Sequence, residues 1–384
     1  MIREKKGGII GKILAGWGII SLVLVLFLCF SQPKAMGTFV SVLGLIKLYA
    51  VNDISINQVI NGATVGVAGA LNDPYSQYLD VQTRKDLSER MSGEFGGVGV
   101  YVLQDEAGRM RLISPIEGTP AFEAGVKHND IVMLIDGKSV VNMRQDEVVA
   151  MLRGEPETEV AVTVYRESES KEIEFTIIRK IISVPSVSVR ILEGNEGIAY
   201  VRLDLFQTHS AEEMQEKVSK LLEENEVKGL IVDVRDNGGG DFDAALSIAS
   251  LFLNGEDIVQ VADAKGRITV HKSMPGGYQA PMIVLVNRNS ASASEILAGA
   301  LQDNDRALIV GEKTYGKALV QTVFVLPDGG ALKLTTAKYY TPNEKDINEV
   351  GIVPDYIVEQ PPSSGQDLQL QKAVELLLPL IENL

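Results

Sequence analysis

Apolar and polar positions fall into distinct regimes along this chain. Residues 13–30, ILAGWGIISLVLVLFLCF, form an apolar run of 18 residues preceded by Arg3, Lys5, Lys6 and Lys12. That length spans a bilayer and the basic flank stays cytoplasmic, so residues 1–36 read as a cytoplasmic stub and membrane anchor, with the rest of the chain outside. The exit CFSQPKAMG offers only a poor cleavage site, which favours an uncleaved signal anchor. Residues 37–92 are mainly helical in pattern, with INQVINGATVGVAGAL ending at the turn signal Asn72-Asp73-Pro74. From 93 to 180, strand patterns alternate with two short helices. From 181 to 360, the runs GIAYVRL, GLIVDV and PMIVLVNR alternate with helical stretches at Ser210–Glu224, DAALSIASLFL and EILAGALQ, the order of a layered α/β core. The tail, 361–384, reads as a linker at Pro361–Gly365 and an amphipathic helix, Asp367–Leu378, broken by Pro379. Packing of that helix on its own core and packing on a second subunit, as in a homo-oligomer, both remain open.

Composition narrows the function classes. The 384 residues are 45% hydrophobic and 23% charged, ordinary values for a globular protein. Net charge is −15, and beyond residue 34 it is 31 basic against 50 acidic residues, or −19. Such a surface disfavours nucleic acid as a partner and broad attraction to anionic lipid, leaving residues 13–30 as the membrane contact. The acidic run Glu212–Glu226 reads as a solvated helix face. Cys29 is the only cysteine, so no internal disulfide forms.

The candidate chemistry lies in two segments. NSASASE (Asn289–Glu295) follows the buried strand PMIVLVNR and precedes a helix, so Ser292 stands at a strand-to-helix turn. A helix N-terminus offers unpaired backbone N–H groups to a developing oxyanion, and the Ala293 N–H is the natural donor. Twenty-five residues on, GEKTYGKALVQ (Gly311–Gln321) presents Lys317 before a β-prone run. The segment nearly spells a phosphate-binding loop, but Ala318 stands where Ser or Thr must hold magnesium, and a strand follows instead of a helix. A lysine acts as general base only when its neutral form is populated, which needs its pKa lowered by about three units. Burial beside Ala318, Leu319 and Val320 supplies part of such a shift. Gln321, four residues on, falls on the same side as Lys317 in either a helix or a strand and can orient it. A third segment, DVRDNGGG (Asp233–Gly240), places three glycines after the strand GLIVDV, where backbone can approach a carbonyl closely. There is no GxSxG elbow and no HExxH motif, and His128, His209 and His271 are scattered and read as structural.

On these motifs the chain resembles the C-terminal processing, or tail-specific, peptidases, usually membrane-anchored or exported enzymes with a serine and lysine dyad. The resemblance covers nearly everything after about Leu71, beginning in LNDPYSQYLD. It implies Ser292 as nucleophile, Lys317 as base and Gln321 as supporting residue. The oxyanion-hole glycine falls on Gly239 or Gly238, which the count does not separate. Ala318 replaces a commoner Gly, and Gly238 a frequent Pro. GGVGVYV (Gly96–Val102) and GTPAFEAGVKHNDIVMLIDG (Gly118–Gly137) look like a PDZ domain, with His128 and Asn129 where Pro-Gly is frequent. In that reading Gly96, Gly97, Val98 and Gly99 capture a chain-terminal carboxylate, and Val98, Val100 and the helix Gln145–Leu152 line the pocket for the last side chain. The expected fold class is α/β: a crotonase-like layered peptidase core with a PDZ domain and an N-terminal transmembrane helix. The expected function is a membrane-anchored serine endopeptidase that takes protein or peptide substrates with accessible C-termini, without metal or organic cofactor. Alternatives are a catalytically inactive PDZ scaffold binding protein tails and, third, an acyl-CoA enzyme.

Overall fold

The computed structural model describes residue 27, residues 30–361 and residues 364–382, and the chain divides into two units, Met1–Asp73 and Pro74–Leu384. In the first unit, α1 (Pro33–Tyr49) opens on a proline, whose missing N–H costs nothing at a first turn. The second helix, α2 (Ile56–Gly69), opens on a capping box: the Gln58 N–H donates to Ser55 Oγ at 3.2 Å and the Ser55 N–H to Gln58 Oε1 at 2.8 Å. Among the described residues no helix is long and apolar enough to cross a membrane. This corrects the expected fold class, from which the transmembrane helix is removed. Helix α1 has 17 residues, and Lys34, Gly37, Thr38, Ser41, Gly44 and Lys47 interrupt its apolar character. Of the expected anchor, residues 13–26, 28 and 29 lie outside the described residues.

The second unit begins with β1 (Gln77–Leu79) and α3 (Val81–Ser92), capped by Asp80, whose Oδ1 accepts the Thr83 N–H at 2.7 Å. Next come β2 (Glu94–Gly97), β3 (Val100–Gln104), β4 (Met110–Pro115), α4 (Pro120–Glu123), β5 (Asp130–Ile135), β6 (Lys138–Ser139), α5 (Gln145–Leu152), β7 (Glu159–Arg166), β8 (Lys171–Ile178) and β9 (Lys180–Ser183). An antiparallel sheet runs β3-β4-β5-β7-β8 with β6 on β5, and β2 pairs with β9, bringing the ends of this region together. Strand β7, EVAVTVYR, alternates buried Val160, Val162 and Val164 with more exposed positions, the period of a sheet covered on one face. At its end the buried Arg166 bonds both carboxylate oxygens of buried Asp130, Nε to Oδ1 at 2.8 Å and Nη2 to Oδ2 at 2.7 Å. Asp130 also accepts the Lys127 N–H, so it holds the turn in which Asn129 takes φ 70°.

The rest of the unit is a layered core: β10 (Val187–Leu192), β11 (Asn195–Leu203), α6 (Ser210–Glu224), β12 (Gly229–Asp233), α7 (Phe242–Ser250), β13 (Asp257–Asp263), β14 (Ile268–Lys272), β15 (Met282–Val286), α8 (Ala293–Asp303), β16 (Leu308–Gly311), β17 (Leu319–Val325), β18 (Ala331–Tyr340), β19 (Tyr356–Ile357) and α9 (Leu368–Glu382). One sheet has the order β10-β11-β12-β15-β16-β19, parallel from β11 to β19 with β10 antiparallel at the edge. Strands β12 and β15 are buried along their whole length, which explains their continuous apolar runs. One face packs with Met214, Ile248 and Leu297 from α6, α7 and α8, and the other with Ala373 and Leu377 of α9. Helix α9 runs through Pro379 where the sequence predicts a break, because Ala373, Leu377 and Ile381 continue the apolar stripe that seats it on the sheet. Its start is held by Asp367, which takes two bonds from the partly buried Arg235 beside Asp233. A second sheet, β1-β18-β13-β14 with β17 on β18, carries the strand that follows Lys317.

Removing one partner of the Arg166–Asp130 pair strands a buried charge. Asp130→Ala is therefore expected to cost about 3–5 kcal/mol, read as a lower urea midpoint for the β3–β8 sheet region.

Candidate active site

The loops that carry the reacting groups leave neighbouring strands at their C-terminal ends, the edge where parallel sheets build their sites. After β12 the chain passes through Asn237 to Gly240, and after β15 through Asn287 to Ser292. Asn237 is fully buried and joins the two: its carbonyl accepts the Ala291 N–H at 3.1 Å and Ser294 Oγ at 2.8 Å, while its Nδ2 donates to the Leu203 carbonyl at 2.9 Å. Ser292, immediately before α8, takes φ 56° and ψ −111°, a conformation rarely adopted by residues with a side chain. The turn is thus as sharp as a nucleophile elbow although the GxSxG spelling is missing. Gly239 makes it possible. A Cβ there would lie 2.7 Å from the Ala291 carbonyl oxygen and 2.9 Å from both the Ala293 nitrogen and Ser292 Cβ.

A cavity of about 550 Å³ contains Ser292, Ala293, Gly238, Lys317, Gln321 and Tyr339. Its apolar wall includes Leu87 and Met91 from α3, Phe242 and Ile296, and Val323 and Val325 from alternate positions of β17. Lys317 is half-buried, and burial, followed by the like charge of Lys333, lowers its pKa from the ordinary lysine range, against the pull of Glu295. Its Nζ lies 4.8 Å from the centre of the Tyr75 ring, and Ala318 beside it is fully buried.

The same two side chains tie the peptide groups of Ser292 and Lys317. Glu295 is fully buried and accepts four hydrogen bonds: Ser292 N–H at 2.8 Å and Lys317 N–H at 2.9 Å on Oε2, Thr314 Oγ1 at 2.6 Å and Gly316 N–H at 2.7 Å on Oε1. The Tyr339 hydroxyl faces the carbonyls of the same two residues, Lys317 O at 2.6 Å and Ser292 O at 3.1 Å, so its single proton is donated chiefly to Lys317 O and shared with Ser292 O. Burial, then the charge of Glu295, raises the Tyr339 pKa well above its usual value, so it stays a donor. Thr314 in turn accepts the Ile352 N–H at 2.6 Å. Sequence reasoning missed Glu295, although its three-residue offset from Ser292 is the spacing of a capping box. Asn237 lies inside the DVRDNGGG segment, where only the glycines were read as functional, and Tyr339 carries no sequence signal, since only the fold brings it here.

Other predicted residues are placed as follows. Gln321 lines the cavity, but its Nε2 donates to the Leu319 carbonyl at 3.2 Å and not to Lys317. Lys317 precedes the strand and a bulge falls between Val320 and Gln321, yet both residues line the one cavity. The Gly239 N–H is bonded to Asn237 Oδ1 at 2.9 Å, whereas Gly238 lines the cavity. Ala293 stands in the first turn of α8, where its N–H has no intrahelical acceptor. In the glycine-rich region, Gly96 and Gly97 pair with β9, Gly99 takes φ 77°, and Val100 opens β3. Val98 is 3% exposed and packs in the core, so it is not an open pocket wall as expected. None of the three histidines lines the cavity: His128 and His209 are exposed, and His271 stacks edge-on to Phe242.

Comparison with known proteins agrees with this architecture. The model of peptidase family S41 matches residues 197–358, and that of the PDZ domain residues 81–177. A carboxy-terminal-processing protease of Bartonella bacilliformis is 39% identical over 312 residues, 80% of this chain and 70% of that protein. The chain belongs to peptidase family S41. This S41 peptidase is also 37% identical over 319 residues to a carboxyl-terminal-processing protease of Synechocystis sp., covering 80% of the chain and 74% of the relative. Bacillus subtilis CtpB, a carboxy-terminal processing protease, is 33% identical over 350 residues, 90% of the chain and 72% of the relative. The protein is a serine-type C-terminal processing peptidase with a PDZ domain.

Glu295 fixes the positions of both Ser292 and Lys317 in this S41 peptidase, so Glu295→Ala leaves several buried donors unpaired. It is expected to cost about 3 kcal/mol in stability and to lower kcat about 100-fold, in urea titration and steady-state kinetics. Tyr339→Phe, which removes one donor, costs about 1–2 kcal/mol.

Proposed function

We propose that Ser292 and Lys317 form the dyad of this peptidase and that Gly238 and Ala293 supply the oxyanion hole. The observation that carries the reading is the shared tether: Ser292 and Lys317 line one cavity and have their backbones held by the same carboxylate and the same phenol. Ser292 Oγ attacks the substrate carbonyl carbon while neutral Lys317 Nζ takes the hydroxyl proton. The oxyanion accepts from the Ala293 and Gly238 N–H groups. Lys317 then passes its proton to the leaving amine as the C–N bond breaks, and a water, deprotonated by the same amine, hydrolyses the acyl-enzyme. Gly238 is favoured over Gly239 because the Gly239 N–H is already bonded to Asn237 Oδ1. Gln321 shapes the cavity beside the base. The PDZ domain takes the C-terminal end of a protein substrate and presents the tail to the cleft, using the backbone around Gly96, Gly97 and Gly99.

Cleavage of an unstructured protein, followed by mass spectrometry, tests the dyad. Ser292→Ala and Lys317→Ala are each expected to lower kcat/KM by about 10³-fold or more, and His209→Ala to leave it unchanged. Loss of activity in the His209 variant with Lys317→Ala silent would falsify the dyad.

The pH dependence has a definite sign. The active form of Lys317 is the neutral one and its pKa is lowered, so that form is populated at a lower pH than for an ordinary lysine and is lost as pH falls through the folded pKa. The kcat/KM profile should therefore rise with pH along an acid limb lying below the usual lysine range. A limb at or above that range would show that the amine is not held neutral.

A further inference from the structure

Besides Lys317, the cavity contains two cations to which the mechanism gives no contact with the substrate. Arg84, on α3, and Lys333, on β18, both line it. Lys333 is the cross-strand partner of Val323, whose side chain forms part of the apolar wall, so it projects from the same face of the β17–β18 pair. Both residues are partly buried. Among the described residues, neither has a carboxylate within ion-pair distance. Arg84 Nε donates to the Gly329 carbonyl at 2.8 Å, which fixes the side chain while leaving its terminal nitrogens without a described partner.

Acidic residues outnumber basic ones 51 to 36, and the exposed Lys85 beside Arg84 and the half-buried Lys338 on β18 are each paired, to Glu155 and Asp346. Lys333 is also close enough for its charge to bear on Lys317, which places it near the reacting groups. The one carboxylate that lines the cleft, Asp241, is not within ion-pair distance of either and caps α7 by accepting the Ala244 N–H at 2.8 Å, so two unpaired cations beside the apolar wall attract an anion that arrives with apolar neighbours. For a peptidase the chemical class that meets this description is a peptide carboxylate flanked by apolar side chains.

We propose that Arg84 and Lys333 form a carboxylate subsite of the cleft, through which the enzyme selects peptides carrying a carboxylate, on a side chain or at the chain terminus, within a few residues of the scissile bond. The proposal rests on the dyad reading above and adds a substrate preference to it.

The test uses the purified full-length protein and matched apolar peptides in three forms: a free C-terminus, an amidated C-terminus, and an amidated peptide with one Glu exchanged for Gln at successive positions. The readout is the ratio of kcat/KM for the carboxylate form to that for its neutral counterpart. Wild type is expected to favour the carboxylate about tenfold, the size of one charge-assisted hydrogen bond, and less at high salt. In Lys333→Gln the ratio falls towards one, and in Lys333→Glu it inverts. Arg84→Gln lowers the ratio and Arg84→Lys retains most of it, which keeps the test decisive should one Lys333 variant fail to fold. A preference confined to the free C-terminus assigns the ligand as the chain end, and one confined to Glu assigns it as a side chain. Equal kcat/KM for charged and neutral peptides in wild type, with cleavage still abolished by Ser292→Ala, overturns the subsite and leaves the dyad standing. Cleavage that survives Ser292→Ala overturns the dyad itself.

Discussion

A buried carboxylate must be fully hydrogen-bonded, and in this peptidase the residue that obeys the constraint is Glu295. Leaving it unpaired in the interior would cost several kcal/mol, so the chain converges four donors on it. Those donors come from the Ser292 turn and from the loop before β17. Satisfying one charge thereby fixes the distance between segments that lie 25 residues apart in sequence. Tyr339 closes the arrangement from the other side, its hydroxyl proton shared between the carbonyls of the same two residues. The Ser292 and Lys317 side chains line the cavity.

The sheet topology makes the convergence possible. Neighbouring parallel strands β12 and β15 end at one edge, so the glycine loop and the nucleophile turn emerge side by side, and Asn237 joins them. Gly239 lets the backbones approach to a distance at which any side chain would collide with Ser292 or Ala293. The positive φ of Ser292 is held against its intrinsic cost because Asn237, Glu295 and Tyr339 over-determine the turn. Strain at Ser292 is thus balanced by ordinary hydrogen bonds nearby.

The electrostatics of the cleft follow from what is kept out of it. Burial penalises the ammonium of Lys317, and Lys333 opposes a second positive charge nearby. Glu295 pulls the other way, yet its oxygens accept from backbone and hydroxyl donors and it forms no ion pair with the amine. The Tyr75 ring face also favours the charged form, so burial decides the balance.

Much of this was legible in the residues themselves. Continuous apolar runs announced the parallel strands, the helix Ser210–Glu224 has the bounds its pattern predicts, and the serine and lysine motifs were readable because their residue types and spacing are local properties. Long-range geometry was not. Gln321 lines the cavity with Lys317 but bonds the Leu319 carbonyl, the apolar stripe of α9 carried that helix through Pro379, and Val98 is buried among core residues. A transmembrane helix expected from an apolar run found no counterpart among the described helices. Sequence by itself determined which chemical groups the chain owns and which segments are strand or helix, because propensity and period act over a few residues. Only the tertiary structure decided that Glu295 and Tyr339 hold both Ser292 and Lys317, since hydrogen bonds between distant segments exist only once packing has brought them together.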